Sequence, residues 1–245
     1  MKLTVLGRYG PYPAPGGRCS GYLVETDSAC VVLDLGAGAM GSLMRVRPGL
    51  DFDALLLSHL HSDHMADALV LRYALQQYGK RGAVELPLPL VLPQSPGAVY
   101  GLLSAEEAYR PIPAADGKEL SFGDMEVTLH TVRHPVEAYA FRLRSGGKTL
   151  AYTGDTRFFP QLAEVCRNAD LLLADACFLE QDQRMSEPPH MTAAEAGKLA
   201  AAAGAKRLLL THIWGGGDSD GEVLSEAAAH FPAAEVAEEL GSYIL

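Results

Sequence analysis

The sequence predicts an α/β fold of two packed mixed β-sheets with helices on the outside. Short apolar runs of strand length recur from the first residues to the last, while few segments carry apolar residues at helical spacing. Three runs, Leu55-Leu56-Leu57, Leu150-Ala151-Tyr152 and Leu208-Leu209-Leu210, lead within a few residues into a histidine or an aspartate. An unbroken apolar run suits a strand buried on both faces, and the carboxyl ends of such strands are where open α/β sheets bind ligands.

Taken in order, strands are expected near 2–6, 20–26, 30–35, 53–58, 87–92, 118–122, 125–132, 138–144, 149–153, 170–175, 206–211 and 234–237. Alanine and leucine at helical spacing predict helices near 64–78, 158–167, 193–203 and 222–230. The third has a defined start, because Thr192 and Glu195 carry the signature of a capping box. Pro- and Gly-rich stretches at 10–17, 93–97 and 214–221 read as loops. With 245 residues and 48% hydrophobic content the chain can bury a sizeable core, so a single domain over 1–245 is expected. The apolar runs fall short of membrane-spanning length, and the start Met1-Lys2-Leu3-Thr4-Val5-Leu6-Gly7-Arg8 lacks the apolar centre and cleavage site of a signal peptide. A cytoplasmic protein with no membrane partner is the expectation.

The most concentrated chemistry lies in Ser58-His59-Leu60-His61-Ser62-Asp63-His64, directly after a strand. Alternation along the strand end can turn His59 and His61 the same way, while Asp63 and His64 follow where the chain must turn and can aim at a second point nearby. Imidazole and carboxylate without thiolate are the ligand set of a hydrolytic zinc site that keeps a position open for water, whereas structural zinc usually recruits cysteine. The plainer alternatives are an ordinary polar loop or one structural ion. The four cysteines, Cys19, Cys30, Cys166 and Cys177, are scattered without a close pair and read as buried thiols.

At HLHSDH (59–64) the sequence resembles the metallo-β-lactamase superfamily of binuclear metallohydrolases, whose signature is H-x-H-x-D-H. His134 in TVRHPVEAYAFRL, Asp155 in YTGDT and His212 in LLLTHI follow in the family's order, and VVLDLGAG (31–38) resembles its early strand, aspartate and glycine turn. The resemblance implies the αβ/βα four-layer sandwich. It also implies two divalent metal ions, zinc foremost with manganese or iron as alternatives. One would be held by His59, His61, His134 and Asp155, the other by Asp63, His64, Asp155 and His212. Asp34 would orient a ligand histidine through its far nitrogen.

Pro189-His190-Met191-Thr192 resembles the histidine motif of the tRNase Z-like phosphodiesterase branch, and Leu173-Ala174-Asp175 its strand ending in an acid, although that acid is usually Glu. This implies catalytic roles for Asp63, which would handle the attacking water, and for His190, which Asp175 would polarise. The tRNA-processing members carry a long arm, in the bacterial type between the segments matching His134 and Asp155. Here that interval is filled by two strands and a turn. Thirty acidic against twenty basic residues give a net charge of −10, which also disfavours a long polyanion. The expected substrate is therefore a small phosphodiester, such as a cyclic nucleotide or short oligonucleotide, with tRNA a poor one and a homodimer left open. Lactone, ester or thioester hydrolysis on the same metals is the rival reading, and a metal-stabilised binding protein the non-enzymatic one. Tyr9, Tyr12, Arg72, Tyr73, His130 and the 214–221 loop are left between a role at the site and ordinary surface or packing.

Overall fold

The computed structural model describes residues 1–104, 107–182, 188–216 and 220–245. The strands are β1 (Lys2–Gly7), β2 (Gly21–Glu25), β3 (Cys30–Leu35), β4 (Ala54–Leu56), β5 (Leu88–Leu92), β6 (Tyr109–Pro113), β7 (Glu119–Phe122), β8 (Met125–Thr131), β9 (Tyr139–Ser145), β10 (Lys148–Tyr152), β11 (Leu171–Asp175), β12 (Leu208–Thr211), β13 (Ala234–Val236) and β14 (Ser242–Ile244). Among the described residues they make two seven-stranded sheets, ordered β14-β1-β2-β3-β4-β5-β6 and β13-β12-β11-β10-β9-β8-β7. Each sheet is mixed: β3 to β6 and β10 to β13 are parallel, and the remaining pairings are antiparallel.

Alternation along the strands divides the apolar residues between two sides. Leu33, Leu56, Phe141, Tyr152, Leu171 and Leu173 fill the space between the sheets. Their neighbours Val32, Leu55 and Leu57 face outward to α1 (Ala39–Val46), α3 (Ala68–Lys80) and α4 (Gly97–Ser104). Leu172, Ala174 and Leu210 likewise face α5 (Leu162–Val165), α6 (Ala193–Ala203) and α7 (Asp220–Ala228). Strands buried on both faces explain the unbroken Leu-rich runs, and the result is the predicted four-layer sandwich. A one-turn helix, α2 (Ser62–Met65), stands outside these layers at the carboxyl end of β4. No described helix is long and apolar enough to cross a membrane.

The differences from the sequence expectation have local causes. The segment expected as one helix over 64–78 is α2 followed by α3, because Asp67 sits between them accepting a hydrogen bond from the Met40 N–H. The helix expected over 158–167 is reduced to α5, with Pro160 just ahead of it. β6, β14, α1 and α4 were not expected, and part of the 93–97 loop belongs to α4. His59 and His61 lie beyond the end of β4, in the connection to α2, and Asp63 and His64 lie on α2 itself. Residues 217–219 of the glycine-rich stretch lie outside the described residues, and α7 begins at Asp220.

Candidate metal centre

Parallel β10, β11 and β12 end side by side, so Asp155, Asp175 and His212 arrive at one rim of their sheet. β4 delivers the histidine string to the same place from the other sheet. That string is held by buried Asp34, whose Oδ1 accepts from the Ser58 N–H (2.7 Å) and whose Oδ2 accepts from the Ser58 and Tyr152 hydroxyls (both 2.7 Å). Two glycines give the site room. A Cβ on Gly10 would fall 1.8 Å from His212 Nε2, and one on Gly36 would fall 1.8 Å from the Asp63 carbonyl oxygen.

The donor atoms of the expected ligands form two groups that share Asp155. In the first, His61 Nδ1 lies 3.0 Å from His59 Nε2 and 3.1 Å from His134 Nε2, and Asp155 Oδ2 lies 3.5 Å from His59 Nε2. In the second, Asp155 Oδ2 is 3.2 Å from His64 Nε2 and 3.3 Å from His212 Nε2, while Asp63 Oδ2 is 3.6 and 3.1 Å from the same nitrogens. Four donors around one zinc at ordinary bond lengths stand about 3.4 Å apart, so both groups are close to coordination size. In each group the donor atoms lie within 4.8 Å of one another. His64 Nε2 and Asp155 Oδ1 are buried without a hydrogen-bond partner, a costly state that a bound cation would relieve. The residues present therefore fit two metal ions.

Charge supports the same conclusion. Burial opposes a proton on His64, but Asp155, Asp34 and Asp63 outweigh it and lift its pKa to about 10. His212 is also raised, against burial, by Asp155 and its hydrogen bond to Asp63. Burial, reinforced by charged His64, holds His59 well below the usual histidine range. Asp155, despite burial, is held low by His212, His64 and His59. Protons on two ring nitrogens thus stand where cations would balance the buried carboxylates.

Three of the histidines in these groups have their far nitrogens engaged, as outer partners engage a metal-binding histidine. His64 Nδ1 meets Asp34 Oδ2 at 2.8 Å, His134 Nδ1 donates to the Pro189 carbonyl at 3.1 Å, and His59 Nδ1 faces the Ser58 hydroxyl at 3.1 Å. His190 is buried, its Nδ1 2.9 Å from Asp175 Oδ2 and 3.8 Å from Asp155 Oδ2, with its ring stacked on His212 at 4.8 Å. Asp175 is fixed in turn by the Thr156 and Cys177 N–H groups, each at 3.1 Å. The Asp175–His190 pair thus adjoins both metal groups.

Two cavities open here. One, of about 460 Å³, is lined by Arg133, His134, Pro135, Arg157, Pro188 and Pro189. The other, of about 370 Å³, is bounded by Pro11, Cys177, Phe178, Asp182, Pro189, His190 and Trp214. Its rim is pinned by the Trp214 indole N–H donating to Tyr12 Oη at 2.8 Å, so the 10–17 loop does cover the site's flank. By contrast, His130 is half-buried on β8 away from both metal groups, and Tyr73 on α3 is exposed. All four cysteines are buried and unpaired. Arg133, Phe178 and Trp214 were not singled out for the positions they take on the cavity walls. Arg133 directly precedes His134 and Phe178 stands three residues beyond Asp175, and adjacency was the one signal available.

The family model described as "Beta-lactamase superfamily domain" matches residues 31–213. The probable metallo-hydrolase YhfI of Bacillus subtilis is 34% identical over 218 residues, covering 87% of each chain. Its crystal structure superposes with a TM-score of 0.93 at 30% identity, over 99% of this chain and 98% of that one. A ribonuclease Z of Myxococcus xanthus is 25% identical over 287 residues, covering 94% of this chain and 93% of the relative. Human tRNase Z, short form, shares the fold with a TM-score of 0.75 at 21% identity, over 100% of this chain and 99% of the other. The signature, the sandwich and these relatives agree: the chain belongs to the metallo-β-lactamase superfamily and is a metallo-hydrolase with ribonuclease Z-like kin.

Proposed function

We propose that the protein is a binuclear zinc-dependent phosphodiesterase acting on a small phosphodiester, such as a cyclic nucleotide or short oligonucleotide. The observation that carries this reading is the buried Asp175–His190 pair set beside a carboxylate common to two donor groups. A thioester, whose thiolate departs easily, has little need of a separate acid, whereas the alkoxide of a phosphodiester does. Two divalent ions at this centre would supply an activated water near neutral pH and neutralise charge on the phosphate oxygens. Asp63, on the first turn of α2, would accept the proton of that water. Asp175 holds His190 by Nδ1, which leaves Nε2 to donate a proton to the leaving oxygen. The cavity of Phe178 and Trp214 beside His190 suits a flat organic group on the leaving side.

A small substrate is favoured by two further facts. The link between β9 and β10 is the tight turn around Gly146 and Gly147, with no inserted arm. The alignment with the Myxococcus ribonuclease Z also runs over 287 residues, more than the 245 of this chain, so that enzyme carries residues without a counterpart here.

The test is a zinc-loaded comparison of bis(p-nitrophenyl) phosphate, a dinucleotide, a lactone and a thioester. Phosphodiesters should lead in kcat/KM by orders of magnitude. His190→Ala should slow the dinucleotide by about a hundred- to ten-thousandfold, and the nitrophenyl ester far less, with metal content unchanged. A lead for the lactone or thioester overturns the phosphodiesterase assignment, and equal losses on both phosphodiesters overturn the role of His190.

A further inference from the structure

Arg133 and Arg157 stand side by side because their backbones are joined. The Arg157 N–H donates to the Arg133 carbonyl at 3.0 Å, and the Arg133 N–H donates to Thr156 Oγ1 at 3.2 Å. Both side chains line the cavity of about 460 Å³ that includes the exposed edge of His134. Two arginines on one cavity wall are conspicuous in a chain of net charge −10. Arg157 is half-buried with partners of its own, but Arg133 is exposed and enters no ion pair among the described residues. Its guanidinium lies instead over the buried Phe159 ring, 4.9 Å from the centroid. Stacking uses the face of a guanidinium and leaves its in-plane N–H groups as a fork matched to two oxygens of a phosphate.

Asp63, Asp155 and His212 do not line this cavity. An anion held there sits beside a phosphorus at the metal centre rather than in its place. We infer that Arg133, seconded by Arg157, binds a second phosphate of the substrate. The preferred substrate is then a phosphodiester that also carries a terminal phosphate monoester, such as a 5′-phosphorylated dinucleotide, and a cyclic mononucleotide with its single charge is a poorer one. This assignment deepens the phosphodiesterase reading of the adjacent centre and rests on it.

The experiment compares zinc-loaded wild-type, Arg133→Gln and Arg133→Lys proteins on pApA, which has the 5′-phosphate, and ApA, which lacks it, with bis(p-nitrophenyl) phosphate as a general phosphodiester. In the wild type, kcat/KM should favour pApA over ApA by about ten- to a hundredfold, as charge-assisted hydrogen bonds imply. The ratio should fall toward one in Arg133→Gln, mainly through KM, and lie between in Arg133→Lys, which keeps the charge but loses the fork. A wild-type ratio near one, or a ratio that Arg133→Gln leaves unchanged, overturns the second-phosphate site while the phosphodiesterase reading stands. If none of the three compounds is cleaved, the phosphodiesterase reading falls. Calorimetric binding of pApA and ApA to the same zinc-loaded proteins then decides the anion site alone: tighter pApA binding that is lost in Arg133→Gln supports it, and equal affinities overturn it.

Discussion

Asp34 touches no reacting atom, yet four groups converge on its carboxylate: the Ser58 N–H and hydroxyl, the Tyr152 hydroxyl and His64 Nδ1. It ties the histidine string to β10 across the sheet interface and fixes which nitrogen His64 turns toward Asp63 and Asp155. Outer-shell partners of this kind typically contribute ten- to a hundredfold to metal affinity. Asp34→Ala should therefore bind zinc about ten- to a hundredfold more weakly, read by competition with a chromophoric chelator, and should also lower the melting temperature through the unpaired Ser58 and Tyr152 groups. His64 was legible from the signature and Asp34 from the early strand that resembles the family's. Ser58 and Tyr152 were not, because nothing in a sequence says which buried hydroxyls will share one carboxylate.

Among the elements, α6 was readable to its boundaries because its ends carry their own chemistry. The Thr192 hydroxyl accepts from the Glu195 N–H, the Glu195 carboxylate accepts from the Thr192 N–H, and Gly204 closes the helix at φ 63°. Thr192→Ala should cost about 1 kcal/mol, lowering the melting temperature by about 2–4 °C in a chain of this size, with zinc content unchanged by elemental analysis. Elements without such signals escaped the sequence reading. β6 reads Tyr-Arg-Pro-Ile-Pro, and prolines argue against a strand unless it lies at a sheet edge, where β6 does lie. β14 spans only Ser242–Ile244 and owes its form to pairing with β1. α1 begins after Gly38 with no side-chain cap, and α4 carries Gly97 and Gly101, so local propensity understated both. The residues of the two donor groups were legible by contrast because the chemistry of a metal dictates residue type, whereas a cavity wall accepts many residues.

At the scale of the whole molecule the metal centre is also a pH-dependent joint between the sheets. In metal-free protein, His64 titrates near 10 when folded, against about 6.5 for an unfolded histidine. A raised pKa contributes stability that is present below about 6.5 and is lost as the pH climbs through about 10. The melting temperature of chelator-treated protein should accordingly fall between about pH 7 and pH 10, while the zinc-loaded form, whose ligand histidines are already neutral, should not show that fall. Parallel curves in calorimetry would contradict this. The joint also sets a timetable for synthesis. β1 to β6 and the His59–His64 string belong to the first part of the chain, but His212, the partner of Asp63, lies 149 residues later. At ordinary rates of translation the string leaves the ribosome on the order of ten seconds before that partner. Until then a nascent chain offers any passing cation only a partial and unshaped set of ligands. The spacing of donors in the finished sandwich, rather than order of encounter, should therefore decide which ion stays.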